Sequence, residues 1–338
     1  MLNIVTKTPD ILSLPAERLH EKLAGPTLIH LTGRRPDPLF VSVLLHGNED
    51  SGWLAVQDLI KTYKDKPLPR SLSVFIGNIE AAKHGKRRLD HQPDYNRIWM
   101  KGHNPEHILM ERVVDEMRGR NVFASVDIHN NTGINPHYAC VTKLNHRFFH
   151  LATLFSRTVI YFTTPEGTQT MAFSEICPSV TVECGKPGQP YGEEHAFRFL
   201  DACLHLDHFP DHPVHQHDIE LYHTVATVRV PEGVSFSFNS DSTCLKLRSD
   251  LDHLNFRPLP AGTILGYVDN TIHKCSLEAE NEAGENVSSR YFIQKDNTIQ
   301  LNQDVMPSML TLNEEIIRQD CLCYFMEQYN SIQHISEG

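Results

Sequence analysis

The stretch that most constrains the fold of this chain is Val41–Gly52, with the sequence VSVLLHGNEDSG. An apolar run ends at His46, a Gly-Asn pair follows, and Glu49 comes next. This pattern predicts a buried strand, a tight turn that carries a carboxylate, and a helix from about Ser51. A histidine and a glutamate three residues apart on such a turn can converge on one metal ion. The alternative is that Glu49 caps the helix and His46 is an ordinary core residue.

A second strand that ends at a histidine strengthens the metal hypothesis. The run from Ser125 to Gly133 reads SVDIHNNTG, and the alternation of side chains along a strand puts Asp127 and His129 on the same face. His129 is then the candidate third ligand, and Asp127 is a carboxylate that orients a ligating imidazole. The alternative is a histidine at a strand end beside polar loop residues.

Glu183 is the third unusual feature, because it lies inside the apolar run Pro178–Gly185, PSVTVECG. A carboxylate is costly to bury unless it is paired or takes part in chemistry. Beside a metal-activated water it can act as general base and later protonate a leaving amine. The alternative is a buried, ion-paired glutamate.

A long polar loop is predicted from about residue 81 to residue 101, and loops of this length in a compact domain are usually functional or disordered. Its cations include Arg87 and Arg88, and it continues into Asn96-Arg97 just before two apolar residues. Arginine binds carboxylates in a bidentate manner, and it can also stabilise an oxyanion. We therefore expect Asn96 and Arg97 to bind a substrate carboxylate, whereas a solvated surface is the simpler interpretation of Lys83, Lys86 and Arg87.

Strands and helices alternate through the first two thirds of the chain, which predicts an α/β domain with a mixed, mostly parallel sheet and helices on both faces. We place this domain at residues 1–210. A turn is predicted at residues 33–38, before a strand at residues 39–45. His46, His129 and Glu183 all lie near the carboxyl ends of predicted strands, which is where such sheets bind ligands. Short β-like runs from about residue 215 predict a smaller, mainly β domain at 215–338.

Composition excludes several classes of partner. The formal net charge of −11 argues against nucleic acid and anionic membrane surfaces as partners, and no apolar run approaches the length of a membrane span.

We see no secretion signal and expect a cytoplasmic chain whose eight cysteines are reduced thiols. The histidine-rich segment 205–223 is interpreted as a hydrophilic connection between domains, with a second metal site as the alternative.

Four short motifs occur in a characteristic order: His-Gly-Asn-Glu, Asn-Arg, Asp-x-His-Asn and Val-Glu-x-Gly. Over roughly residues 38–200 the chain resembles the succinylglutamate desuccinylase/aspartoacylase family of the zinc carboxypeptidase superfamily. The resemblance implies a zinc-carboxypeptidase-like fold and one Zn²⁺ per chain. The residue roles that it implies are the following: zinc ligands His46, Glu49 and His129; general base Glu183; carboxylate-binding pair Asn96-Arg97; transition-state arginine Arg88, with Arg87 adjacent.

The expected function is therefore zinc-dependent hydrolysis of an amide bond in an N-acyl amino acid or a similar small anionic amide. Two alternatives stay open: a carboxypeptidase acting on short peptides, and a non-catalytic binding protein on the same fold. The run 311–317 lacks the tyrosine that the aspartoacylase branch carries near its end, so the resemblance does not assign N-acetylaspartate as the substrate. A homo-oligomer is compatible with the sequence.

Overall fold

The computed structural model describes residues 2–240, 242–269 and 275–329. These residues form two compact units. Residues 2–130 and 137–221 belong to the first unit, and residues 131–136 together with the described part of 222–329 belong to the second.

The first unit is built from alternating strands and helices, with a short 3-10 helix at Ala16–Glu21. In chain order its strands and α-helices are β1 (Asn3–Val5), β2 (Thr27–Leu31), β3 (Gly33–Val43), α1 (Ser51–Thr62), β4 (Leu68–Ile76), α2 (Ile79–Lys83), α3 (Pro105–Arg118), β5 (Ala124–His129), β6 (Tyr138–Val141), α4 (His146–Thr153), β7 (Thr158–Tyr161), α5 (Gln169–Ser174), β8 (Ser179–Glu183) and α6 (Pro190–His205).

The strands of the first unit form one sheet in the order β1-β2-β4-β3-β5-β8-β6-β7. Five of the neighbouring pairs are parallel, and only the β2–β4 and β8–β6 pairs are antiparallel. The predicted mixed, mostly parallel sheet is therefore confirmed. Strands β3, β5 and β8 are adjacent and parallel, so their carboxyl ends meet at the same edge of the sheet.

Helices cover both faces of this sheet, as predicted. On one face Gly52 of α1 lies so close to Val43 and Ile128 that an added Cβ would be within 3.0 Å of both side chains. On the other face Phe173 of α5 stacks on Phe40 of β3 with ring centroids 4.2 Å apart. Side chains on β3 and β5 that share the face of Phe40 therefore point towards α5.

The structure differs from the expectation in a few local features. Residues 33–38 were expected to form a turn, but β3 begins at Gly33, and its pairing with β4 shifts register between Arg35 and Leu39. Pro36 and Pro38 cannot donate ladder hydrogen bonds, and the irregularity accommodates them within the strand.

Helix α5 was missed because six residues are too few for a helical period to stand out. The predicted long loop is confirmed beyond α2: the structure has neither helix nor strand at residues 84–104.

The second unit is mainly β, as expected for this part of the chain. Its elements are β9 (Glu220–Arg229), β10 (Phe236–Ser237), β11 (Leu245–Leu247), a 3-10 helix (Leu251–Leu254), β12 (Ile264–Val268), β13 (Glu278–Glu280), α7 (Ser288–Tyr291), β14 (Phe292–Lys295), β15 (Thr298–Leu301), β16 (Met306–Ser308), α8 (Glu314–Gln319) and β17 (Cys323–Gln328). One sheet has the order β10-β11-β12-β15-β14. In a second group β17 pairs with β9 and β16, and β13 pairs with the other side of β9.

The loop 131–136, directly after the second predicted histidine strand, belongs to the second unit. The hydroxyl oxygens of Thr132 and Thr311 lie 2.6 Å apart, and the main-chain N–H of Met309 donates to Asn135 Oδ1 at 3.0 Å. Nothing in the sequence pattern indicates this assignment, because it depends on contacts between segments far apart in the chain.

The cysteines are not all thiols, which corrects the expectation from the sequence. Cys244 and Cys275 form a disulfide in the second unit, and the other six cysteines are buried thiols that are not part of a disulfide. Within the described residues, no helix has the length and apolar character needed to cross a membrane.

Candidate metal centre

The first part of the site is the turn from His46 to Glu49, which follows β3. Leu44 has φ 56°, an uncommon conformation for a residue with a Cβ, and the chain leaves the strand direction there. The N–H of Glu49 donates to the carbonyl of His46 at 3.2 Å. Gly47 has no room for a side chain, because a Cβ would lie 2.2 Å from the main-chain nitrogen of Ala82. As a result Nδ1 of His46 lies 2.9 Å from Oε1 of Glu49.

The second part is the carboxyl end of β5, where Asp127 and His129 share one face. Nδ1 of His129 lies 2.8 Å from Oε2 of Glu49 and 3.2 Å from Nδ1 of His46. His46, Glu49 and His129 are only 3%, 6% and 3% exposed. The structure thus brings the three predicted ligands together from two separate segments of the chain.

These three side chains fit a small divalent cation. One ligand atom from each lies within 4.8 Å of those of the other two. Zinc–nitrogen bonds of about 2.0–2.1 Å in a tetrahedral site place ligand atoms roughly 3.3 Å apart, and the two imidazole Nδ1 atoms are 3.2 Å apart. Among the described residues, no other group of three or more histidine, cysteine and carboxylate side chains has the geometry to hold a metal ion. The histidine-rich segment 205–223 therefore provides no second candidate metal site.

The electrostatics of the group favour positive charge at its centre. Burial opposes ionisation of Glu49, but His46 and His129 hold the pKa of its carboxyl far below the ordinary value. Burial also opposes charge on His129, but Asp127 and Glu49 raise the pKa of its imidazole well above the ordinary value. A cation bound at the centre would take the place of that proton, because ligating histidine must be neutral.

Each imidazole is oriented by a carboxylate on its far side. Nε2 of His46 lies 3.0 Å from Oδ1 of Asp94, and Nε2 of His129 lies 2.7 Å from Oδ2 of Asp127. An N–H donated outwards from each Nε2 leaves both Nδ1 atoms directed at Glu49. Such carboxylate partners fix the tautomer and the ring orientation of metal-ligating histidines.

Asp94 is a site residue that the sequence reasoning missed. Its Oδ2 accepts hydrogen bonds from Nε and Nη2 of Arg87 at 3.1 and 2.8 Å. Burial opposes its charge, but Arg87 and His46 hold the pKa of the Asp94 carboxyl well below its ordinary value. The available signal was weak: Asp94 is one of two aspartates in a mainly basic loop and lies two positions before Asn96.

The arginine that lies beside the metal group is Arg87, whereas Arg88 was expected there. Nη1 of Arg87 is 3.8 Å from Oε1 of Glu49, and its side chain is only 9% exposed. Nη1 of Arg88 instead donates to the carbonyl of Gln92 at 3.1 Å. The physical reason is a main-chain anchor: the N–H of Gly47 donates to the carbonyl of Arg87 at 3.1 Å, which holds this residue against the metal-ligand turn.

Asn96 and Arg97 lie at the same site. Asn96 is 7% exposed, its Oδ1 accepts from the N–H of Gln169 at 2.9 Å, and its Nδ2 is 3.2 Å from Nε2 of His129. Nη1 of Arg97 donates to the carbonyl of Asn96 at 2.9 Å. The side-chain oxygen of Asn96 is therefore held by Gln169, and its main-chain carbonyl is held by Arg97.

Glu183 is the last residue of β8 and pairs in register with His129 of β5. It is 4% exposed. The neighbouring Asn130, which the Asp-x-His-Asn motif contains without a predicted role, donates from its main-chain N–H to Oε2 of Glu49 at 3.1 Å and from Nδ2 to the carbonyl of Gly185 at 2.9 Å. Asn130 thus connects the metal-ligand turn to the segment that follows Glu183.

The sheet and its edge thus define an α/β unit with a candidate mononuclear metal centre. The sequence model of the succinylglutamate desuccinylase/aspartoacylase catalytic domain matches residues 38–208, about half of the chain. The chain therefore belongs to this family, as the motifs predicted. No individual curated protein sequence matches the chain significantly.

Solved structures share the fold over most of the chain. The succinylglutamate desuccinylase from Chromobacterium violaceum is 16% identical, with a TM-score of 0.58 over 88% of this chain and 86% of that one. A succinylglutamate desuccinylase/aspartoacylase from Rhodobacter sphaeroides is 13% identical, with a TM-score of 0.59 over 90% and 89%. Murine aminoacylase 3 is 15% identical, with a TM-score of 0.55 over 88% and 97%.

Replacing Asp94 tests whether its carboxylate supports metal binding. We expect Asp94→Asn to weaken zinc binding by about 10-fold or more, because His46 loses its oriented partner and the site loses a negative charge. Competition with a chromophoric chelator measures the dissociation constant. The control is Asp90→Asn, an exposed aspartate of the same loop that carries the same change of charge. Equal zinc affinity in the two variants would contradict the role of Asp94.

Proposed function

We propose that this chain is a zinc-dependent amidohydrolase that removes the acyl group from an N-acyl amino acid or a similar small anionic amide. The observation that carries the proposal is the grouping of His46, Glu49 and His129 at one edge of the sheet, with Glu183 on the adjacent strand at the same edge. Nitrogen and oxygen ligands of this type suit zinc, and a catalytic site needs three protein ligands with room for solvent.

In this proposal His46, Glu49 and His129 hold the ion. When bound, zinc supplies Lewis acidity towards a carbonyl oxygen and lowers the pKa of water. The carboxylate of Glu183 accepts a proton from the attacking water on one of its oxygens and later delivers it to the nitrogen of the departing amine. The burial of Glu183 limits competing solvent and strengthens its electrostatic influence on the reaction.

Two arginines have separate roles in the proposal. Arg87, fixed by Asp94 and close to Glu49, stabilises negative charge that develops on the carbonyl oxygen. Arg97 binds the free carboxylate of the substrate through charge-assisted hydrogen bonds. Asn96 positions Arg97, because its main-chain carbonyl accepts from Nη1 of Arg97.

A carboxypeptidase acting on short peptides would use the same ligands and the same base. Family membership favours the deacylase, because the family is named for a desuccinylase and an aspartoacylase. The similar structures from Chromobacterium violaceum and mouse also carry deacylase names. A non-catalytic binding protein is disfavoured because all three ligand positions and the base position keep residues able to act.

The direct test of this proposal is a substrate panel with the Glu183→Gln variant. The panel contains N-acyl amino acids, the same compounds with a blocked carboxylate, and short peptides. We expect turnover of free-carboxylate acyl amino acids, and a loss of about 10²-fold or more in kcat for Glu183→Gln at unchanged zinc content. Release of C-terminal amino acids from peptides of several residues, without deacylation, would reject the deacylase in favour of the carboxypeptidase.

The adjacent arginines provide a matched pair of variants. We expect Arg87→Gln to lower kcat/KM by about 10²–10³-fold, the usual cost of losing an oxyanion donor, and Arg88→Gln to change it by less than about threefold. Both variants remove one positive charge from neighbouring positions, so a long-range electrostatic effect would change both alike. A larger loss for Arg88→Gln would show that Arg88 has the catalytic role first expected from the sequence.

A further inference from the structure

Asp127 has a fully buried carboxylate, with an exposed fraction of 0%. A charge in such a place is stable only when its oxygens are paired or hydrogen-bonded. Oδ2 accepts from Nε2 of His129 at 2.7 Å. Oδ1 accepts from the hydroxyl of Ser42 at 2.6 Å. The two oxygens therefore contact different elements, and one of those contacts is with a residue that no family motif includes.

Ser42 lies on β3, directly opposite Asp127 of β5 in the register of the parallel pair. It is 0% exposed. Four residues further along the chain comes His46, and Glu49 follows on the same turn. The Ser42–Asp127 hydrogen bond thus joins the strand that leads to two of the candidate ligands to the strand that ends in the third, His129.

A carboxylate held at only one oxygen is not well oriented. The terminal torsion of an aspartate is broad, so one hydrogen bond leaves the plane of the group free to rotate. A second, charge-assisted hydrogen bond to the other oxygen restricts this rotation. In this site, rotation of the Asp127 carboxylate would turn the ring of His129 and move its Nδ1 away from Glu49.

We propose that Ser42 is a positioning residue of the metal centre. Its hydroxyl fixes the carboxylate of Asp127, and Asp127 in turn fixes the ring of His129 with Nδ1 directed at His46 and Glu49. This role rests on the proposed metal binding, but it does not depend on which amide the enzyme hydrolyses. A purely structural role, in which Ser42 only fills space between β3 and α5, gives a different experimental result.

The test compares Ser42→Ala with the wild-type protein in zinc affinity, measured at one pH by competition with a chromophoric chelator. We expect the dissociation constant to rise by about 10-fold, the lower end of the loss that follows removal of an outer partner of a metal ligand, because Ser42 acts on His129 through Asp127. The control is Ser73→Ala on the neighbouring strand β4. Ser73 is 2% exposed and its hydroxyl lies 2.8 Å from Nδ1 of His30, so it is also a buried serine beside a histidine. We expect no change in zinc affinity there.

Two further measurements separate positioning from general destabilisation. The free energy of unfolding of the metal-free protein reports structural damage, which both serine variants are expected to share. In an Asp127→Ala background, Ser42→Ala should cause no additional loss of zinc affinity, because the serine acts through the carboxylate. If Ser42→Ala does not fold, Ser42→Cys replaces the hydroxyl by a weak donor of similar shape, and the same weakening is expected.

Zinc affinity within twofold of wild type in the folded Ser42 variant would overturn the positioning role and leave the proposed function intact. An equal loss of affinity in the presence and absence of Asp127 would also overturn it, because Ser42 would then act by another route. Failure of the wild-type protein to bind zinc at all would instead reject the metal centre itself, and with it both proposals.

Discussion

The structure of the first unit depends on one buried carboxylate, that of Glu49, and on the two imidazoles that face it. Oxygens of Glu49 lie 2.9 and 2.8 Å from Nδ1 of His46 and of His129. Such a cluster is costly to bury unless its charges are compensated. The carboxylates of Asp94 and Asp127 contribute to this charge compensation, because they contact Nε2 of His46 and Nε2 of His129, respectively. The surrounding strands and loops are therefore constrained by the need to hold these groups in place.

The parallel register of β3, β5 and β8 is how the fold meets this constraint. Because neighbouring parallel strands end at a common edge, one turn and two strand ends are enough to bring the three candidate metal ligands and Glu183 to the same edge. The long loop 84–104 then supplies the polar groups that the strands cannot, namely Asp94, Arg87 and Arg97. Main-chain contacts such as Gly47–Arg87 anchor that loop, so an irregular segment can contribute side chains at fixed positions beside the turn.

The parts of this arrangement that follow a period or a motif could be predicted from the sequence. The strands at or just before His46, His129 and Glu183 were visible as apolar runs, and the α/β class followed from their alternation with helices. The roles of Asp94, Asn130 and Ser42 could not be predicted this way, because they depend on partners that lie far away in the chain. The choice between Arg87 and Arg88 likewise depends on one main-chain hydrogen bond, which no spacing reveals.

The claim on which the rest of the account depends is that these three side chains share one ion. Metal analysis of the purified protein, loaded with zinc and freed of excess, tests it most directly. The account predicts one zinc per chain in the wild-type protein and almost none after His46→Ala or His129→Ala, while His30→Ala, at a buried histidine away from the group, keeps the full content. A wild-type chain without bound zinc, or full zinc content in the His46 and His129 variants, would contradict it.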